Sequence, residues 1–157
     1  NGKKYYLDKK TGYRLTGLQK IKNDYYFFSN YGILQKNINK TINGKKFNFD
    51  KKGKMTNIPK LSKPKITLKS SSKSINVKWK RKSNVDGYQI FYSTSKNGKY
   101  KKVGTVNSST KSFKISKLQK GKRYYIKIRS YSKVGNYKVY SDYSSIKNVK
   151  VKRWNNK

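Results

Sequence analysis

The sequence predicts an all-β chain in which a solenoid of short β-hairpin repeats leads into a two-sheet β-sandwich. Three observations carry that expectation. The phrase Asn1-Gly2-Lys3-Lys4-Tyr5-Tyr6-Leu7-Asp8 returns as Asn43-Gly44-Lys45-Lys46-Phe47-Asn48-Phe49-Asp50, with a blurred copy from Lys22 to Ser29 between them, so each copy begins 21 residues after the last. A fixed period of that size marks stacked supersecondary units. After about residue 60 the period vanishes, and apolar residues alternate with polar ones in short runs separated by turn residues, the pattern of half-buried strands. No segment carries a helical period.

Within each repeat, a short aromatic strand (Tyr5–Asp8, Tyr26–Ser29, Phe47–Asp50) is expected to turn back through Lys, Asn or Gly. It would then pair with a second strand (Tyr13–Leu15, Ile33–Gln35, Lys54–Thr56). Gly12, Gly32 and Gly53 stand at the turn exits, where a positive φ is inexpensive. Asp8 and Asp50 recur at one repeat phase, the behaviour of a turn residue. Alternation places Tyr5 and Leu7, Tyr26 and Phe28, and Phe47 and Phe49 on a shared spine, with Tyr6, Phe27 and Asn48 facing the other way. A lone hairpin is marginal in water, so such units gain stability by stacking.

Charge is the dominant compositional fact. The chain holds 42 Lys and Arg against 5 Asp, with no Glu and no His, for a net charge of +37. Residues 1–57 carry 14 basic and 3 acidic side chains and residues 58–157 carry 28 and 2, so the surplus of +11 and +26 is global rather than a tail. Such a surface implies an anionic partner or environment. With no Cys and no His there is neither a thiolate or imidazole metal site nor a Cys nucleophile or imidazole base. The five Asp (Asp8, Asp24, Asp50, Asp86, Asp142) are scattered, and their spacing proposes no catalytic carboxylate pair. The chain is therefore expected to be non-enzymatic and to need no cofactor. No apolar run approaches the roughly 20 residues of a membrane span. The absence of an initiator Met and of a signal peptide suggests part of a longer protein.

The frame of residues 1–57, Asn-Gly-Lys-x-Tyr-Tyr-x-Asp with a Gly near its end, resembles the cell-wall-binding and glucan-binding repeats of Gram-positive surface proteins. That superfamily includes the choline-binding repeats and the repeats of large clostridial toxins. The resemblance implies a secreted, non-catalytic β-solenoid that attaches to a wall polymer or carbohydrate. A choline cage is not expected. Its aromatic positions are held by Leu18 and Ile38 and by Lys4, Tyr25 and Lys46, and no Trp precedes Trp79. In the glycan-binding branch, aromatic faces stack on sugar rings, and Tyr6, Tyr25 and Phe27 are the candidates for that role.

Pro59 and Pro64 fall in the polar stretch Met55–Lys65 and mark a linker, placed at 58–64. Beyond it, strands are expected around Ile66 and Leu68, Ile75 to Trp79, Tyr88 to Tyr92 after the Asp86-Gly87 turn, Phe113 and Ile115, Tyr124 to Ile128, and Val149 and Val151. About seven strands in some 90 residues is the pattern of a sandwich. Trp79, the run Val85-Asp86-Gly87-Tyr88-Gln89-Ile90, and Leu118 with Gly121 and Tyr124 resemble a bacterial fibronectin type III domain, an immunoglobulin-like sandwich. That domain is placed at 65–152, with a tail at 153–157. Leu118, Gly121 and Tyr124 have the spacing of a tyrosine corner. The resemblance implies a spacer between other modules rather than an activity.

With the apolar sets inward, Lys65, Lys69, Lys78, Lys80 and Lys114 crowd one outer face, and Phe91, Tyr125, Lys127 and Arg129 mark the other. Lys65, Lys69, Lys78, Lys80, Lys127 and Arg129 are the candidate contacts for a polyanion. The functional expectation is a bacterial cell-surface attachment module that binds cell-wall polymer or carbohydrate. A nucleic-acid or other polyanion-binding module is the second reading. The targeting tail of a peptidoglycan hydrolase, peptidase or toxin with its catalytic domain upstream is the third.

Overall fold

The structure, a computed structural model, describes residues 2–152; Asn1 and the expected tail at 153–157 lie outside the described residues. The chain divides into two compact units, Asn1–Ile58 with Val134–Tyr137, and Pro59–Lys133 with Lys138–Lys157.

In the first unit β1 (Gly17–Ile21) pairs with β2 (Asp24–Phe28), and β3 (Ile38–Ile42) with β4 (Lys45–Phe49), each as a two-stranded antiparallel hairpin. The second hairpin turns at Asn43-Gly44, with φ of 50° and 75°. Two consecutive left-handed residues are what a twisted two-residue hairpin turn requires, and Asn-Gly supplies them at low cost. This adds a second partner to the expected pairing. The repeated phrase begins with the hairpin turn, so its aromatic strand closes one hairpin and then meets the short strand expected to follow it. That expected pairing is present in each copy as a bridge, Leu7↔Arg14, Phe28↔Leu34 and Phe49↔Met55, flanked by two backbone bonds, with a further bridge Tyr26↔Lys54. The intervening loops are also tied locally. Asp8 Oδ1 accepts the backbone N–H groups of Lys10 and Thr11, and Asp50 Oδ1 those of Lys52 and Lys54. Gly12, Gly32 and Gly53 have φ of 72°, 77° and 79°, as the turn reading requires.

The 21-residue period survives as a hydrogen-bond rule. Leu34 N–H donates to Lys4 C=O and Met55 N–H to Tyr25 C=O, both at 2.9 Å. Gln35 N–H donates to Phe27 C=O and Thr56 N–H to Asn48 C=O. In each pair both partners have moved by 21 positions. The shared spine is only partly realised. Phe47 and Phe49 are buried together, but in the copy before it Tyr25 and Phe28 are buried while Tyr26 is half-exposed. Rings of the phase expected to face away lean onto the following copy, Tyr6 against Phe28 at 6.2 Å and Phe27 against Phe49 at 6.1 Å between centroids. A two-stranded ribbon twists more than a wide sheet, and that twist turns strict alternation into an oblique stack.

The second unit is a sandwich. One sheet has the order β5 (Ile66–Ser71), β6 (Ser74–Trp79), β9 (Ser112–Ile115). The other has the order β11 (Tyr137–Tyr140), β10 (Arg123–Val134), β7 (Gly87–Ser93), β8 (Lys101–Asn107), with β12 (Lys147–Lys150) also pairing β10. Ile75, Val77 and Trp79 meet Tyr88, Ile90, Ile126 and Ile128 across the core, the inward sets that alternation assigns. The tyrosine corner forms: Tyr124 Oη accepts the Gln119 backbone N–H at 3.1 Å. Strands β8 and β11 were not expected. In β8 Val103 and Val106 pack against the core, but one inward position is Gly104, where a Cβ would lie 2.5 Å from the Phe113 ring, so the strand gives up part of its apolar signal to make room for its neighbour.

Within the paired rungs of the first sheet, lysines on the outer face do not oppose one another. Lys69 faces Asn76, which faces Lys114, and Lys78 sits between Thr67 and Ser112. Neutral residues in the intervening rungs remove the direct like-charge pairs that would cost stability.

Replacing Tyr124 by Phe removes the corner hydroxyl and leaves the ring in place. Chemical denaturation is expected to show a loss of about 1 kcal/mol with an unchanged denaturant slope.

Candidate ligand-binding surfaces

Two surfaces gather aromatic and cationic side chains, one in each unit. In the first, Tyr31 stands 78% exposed between two shallow grooves. One groove, of about 550 Å³, is lined by Leu7, Gly12, Tyr13, Arg14, Thr16, Asn30 and Tyr31; the other, of about 300 Å³, by Phe27, Ser29, Asn30, Tyr31, Gln35, Ile38 and Lys40. Each groove has a cation held over a ring. The Arg14 guanidinium lies 4.4 Å from the Tyr5 centroid, and Lys40 Nζ lies 5.1 Å from that of Phe27. Asp8 on one side and Ser29 on the other fix the loops that carry Tyr13 and Tyr31. Ser29 Oγ accepts the N–H groups of Tyr31 and Ile33.

Of the three rings expected to stack on sugar, Tyr6 is 50% exposed and Phe27 lines the smaller groove. Tyr25 is 3% exposed, with Tyr137 of the same unit edge-on to it at 5.6 Å. Burial, and secondarily Tyr137, pushes its hydroxyl pKa up. Tyr25 is a core residue and offers no face to a ligand. The reading from residues alone missed Tyr13, Arg14 and Tyr31. Their signal was adjacency to the turn glycines, as Gly12-Tyr13 and Tyr31-Gly32.

In the second unit, Lys127 and Arg129 sit two apart on β10 and enter a ladder of rings. Lys127 Nζ lies 4.3 Å from the Tyr100 centroid and 4.0 Å from that of Tyr143. The Arg129 guanidinium lies 3.7 Å from Tyr140, 5.1 Å from Tyr143 and 5.5 Å from Phe91, and its Nε donates to Gln89 Oε1 at 3.0 Å. The segment between β11 and β12 places Tyr140 and Tyr143 through two serines. Ser141 Oγ accepts the Ser130 N–H and Ser144 Oγ the Ile128 N–H, while the N–H groups of these serines donate back to the same two residues. Side-chain oxygens thus stand in for strand carbonyls, and the three-residue spacing lifts both tyrosines over β10. Lys65, Lys69, Lys78 and Lys80 are exposed and belong to the other sheet or its flanks, so the structure does not bring them to Lys127 and Arg129. Among the described residues no group of three His, Cys, Asp or Glu could hold a metal, and no helix is long and apolar enough to cross a membrane.

Two antiparallel sheets of this order, closed by a tyrosine corner, define an immunoglobulin-like sandwich. The chain belongs to the fibronectin type III family, whose model (Fibronectin type III domain) matches residues 59–147. Domains of this family are often accessory or spacer modules and are typically non-catalytic. No curated protein matches the chain. Among solved structures it is similar to a β-1,2-glucanase from Parabacteroides distasonis, at 17% identity and a TM-score of 0.53 over 72% of this chain and 17% of the glucanase. It is also similar to the fn3 domain of the human collagen alpha-1(XX) chain, at 19% identity and a TM-score of 0.52 over 65% of this chain and 95% of that one. Domains A168–A170 of titin match at 14% identity and a TM-score of 0.52, over 69% of this chain and 36% of theirs. The chain thus spans under a fifth of the glucanase, and at these identities the likeness is one of fold.

Two outcomes are expected. Arg129→Ala gives up ring contacts and a hydrogen bond, and should lower the stability of the sandwich by about 1–2 kcal/mol. Lys78→Ala, which only relieves repulsion, should stay within about 0.5 kcal/mol in the same denaturation assay. The second outcome concerns Asp50, whose pKa is lowered from 3.8, first by the Lys54 N–H bond and then by that of Lys52. A depressed folded-state pKa means the contribution of this carboxylate is complete above 3.8 and is lost as pH falls through the lower folded value. An NMR titration of Asp50 should have its midpoint below 3.8, and Asp50→Asn should abolish the acid-induced shift of the Lys52 and Lys54 amides.

Proposed function

We propose that the chain is a non-catalytic attachment module of a larger secreted bacterial protein. In this reading the hairpin repeats belong to a longer solenoid that grips a carbohydrate or acidic cell-wall polymer, and the fibronectin type III domain acts as a basic spacer. The observation that carries the reading is Tyr31, exposed between two grooves that each pair rings with a cation. Aromatic faces suit the apolar faces of sugar rings, and the flanking Arg14 and Lys40 suit acidic substituents. Shallow, open grooves of this kind favour a polymer over a small molecule. The net charge of +37 would raise the local concentration of an anionic polymer and speed encounter. The binding set under this proposal is Tyr6, Tyr13, Phe27 and Tyr31, with Tyr25 left out as core.

The test is a glycan and wall-polymer array run at low salt and at about 0.5 M salt, where bare attraction between exposed charges is screened. Saturable binding should persist at high salt, and Tyr31→Ala should weaken it by about tenfold or more, as expected of an exposed aromatic anchor. Binding only at low salt, equal for single-stranded nucleic acid and glycan and indifferent to Tyr31→Ala, would replace this reading with a general polyanion module.

A further inference from the structure

β5 and β12 are edge strands of opposite sheets. Among the described strands, β5 pairs only with β6 and β12 only with β10, yet the two lie side by side. One end of the seam between them is closed by the parallel bridge Ser72↔Lys152. Towards the other end the seam opens into two neighbouring cavities of about 350 and 300 Å³, both lined by Ile66 and Lys147. The floor is apolar, with Ile66, Leu68 and Val149, and the rim carries Lys63, Lys65 and Lys147. None of these three ammonium groups has an ion-pair partner among the described residues.

An open strand edge presents a row of backbone donors and acceptors that another extended chain can satisfy. We propose that this seam is a docking site for an extended acidic peptide segment of another protein, which adds as a strand along the free edge of β5. A strand has a two-residue period, so one set of the added side chains would be apolar and meet Ile66, Leu68 and Val149. The other set would carry Asp or Glu towards Lys63 and Lys65, while Lys147, on the face of β12 that carries Val149, adds positive charge beside the apolar floor. Charge settles which chain enters. With 42 basic residues and five Asp, a second copy of this chain has no acidic strand to offer and is repelled by the rim. Lysines on an edge usually guard it against strand addition. Here they guard it against the protein's own kind and leave it open to the opposite charge. An acidic glycan or polyphosphate would be drawn equally to the other lysine faces and would leave the β5 edge groups unpaired, so the open edge together with its apolar floor favours a peptide.

The experiment uses the full chain and an alternating Val-Glu peptide of about eight residues, long enough to match an ordinary strand. Two versions of the peptide are N-methylated at alternate amides, one on each edge, so that charge and composition are kept while one row of donors is removed. Calorimetry gives affinities, and amide chemical shifts give the location. Saturable binding is expected, with shifts confined to residues 63–68 and 145–149, and with one methylated peptide inactive and the other bound. The triple variant Lys63→Gln, Lys65→Gln, Lys147→Gln should weaken binding about tenfold, and the matched variant Lys78→Gln, Lys111→Gln, Lys114→Gln by no more than about twofold. Equal binding of both methylated peptides, equal losses in the two triple variants, or displacement of the peptide by polyphosphate at matching charge concentration would overturn the proposal. The outcome is independent of the glycan reading, which rests on the other unit.

Discussion

A protein with 42 cations and five carboxylates cannot balance its charge with ion pairs, and aromatic rings steady several of the cations instead. The ion pair of Lys54 with Asp24, at 2.9 Å, is one of the few such contacts available to it. Elsewhere Arg14, Lys40, Lys127 and Arg129 each lie over one or more rings, at 3.7–5.5 Å from the centroids. The face of a ring is the negative end of its quadrupole, so it steadies a cation without itself carrying a charge that needs hydration. This explains why the 15% aromatic content is spread over exposed and half-exposed positions as well as the cores. It also explains the checkered rungs of the β5–β6–β9 sheet, where Asn, Thr and Ser occupy the places that an ordinary sheet would give to Asp or Glu.

The same constraint shapes both units differently. The hairpin unit has little apolar material, so each copy completes its core with rings from the next and ties its loops with an Asp or Ser oxygen. The sandwich has a core of its own, with Ile75, Val77, Ile90, Ile126 and Ile128 fully enclosed, and can spend its tyrosines on an outer ladder. Ser141 and Ser144 make that ladder possible. By taking over backbone bonding in the gap between β11 and β12, they free the chain from the two-residue period and set Tyr140 and Tyr143 at the spacing the cations need.

Legibility followed periodicity. Ile75-x-Val77-x-Trp79 and Tyr124-x-Ile126-x-Ile128 announce their strands because one face is apolar and the other is not. Strand β8 could not be read, since Gly104 and the bulge between Ile90 and Phe91 in its partner break the pattern where Phe113 intrudes. The Asn43-Gly44 turn was visible but was read as the head of a phrase, which gave each aromatic strand its following partner and hid the preceding one. In the run Tyr25-Tyr26-Phe27-Phe28 every residue is apolar enough to be buried, so the sequence held no clue to which ring lies inside. Only twist decides that, and it chose Tyr25 and Phe28. Lys127 and Arg129 were legible as outward residues of a strand, but their rings come from β7, β11 and the segments beside β8 and β11, separations that no local pattern encodes.

The bonds from Leu34 to Lys4 and from Met55 to Tyr25 have a consequence for how such a chain changes over time. Because donor and acceptor advance together by one period, gaining or losing a whole period returns every amide to an equivalent partner. Any other change of length sets a donor against the wrong carbonyl and a ring against a lysine. The array can therefore lengthen or shorten in whole steps while each step drifts in sequence, as Tyr25 and Lys46 have at one phase. Its length is counted in units, and its reach can be tuned in the same units without redesigning any contact.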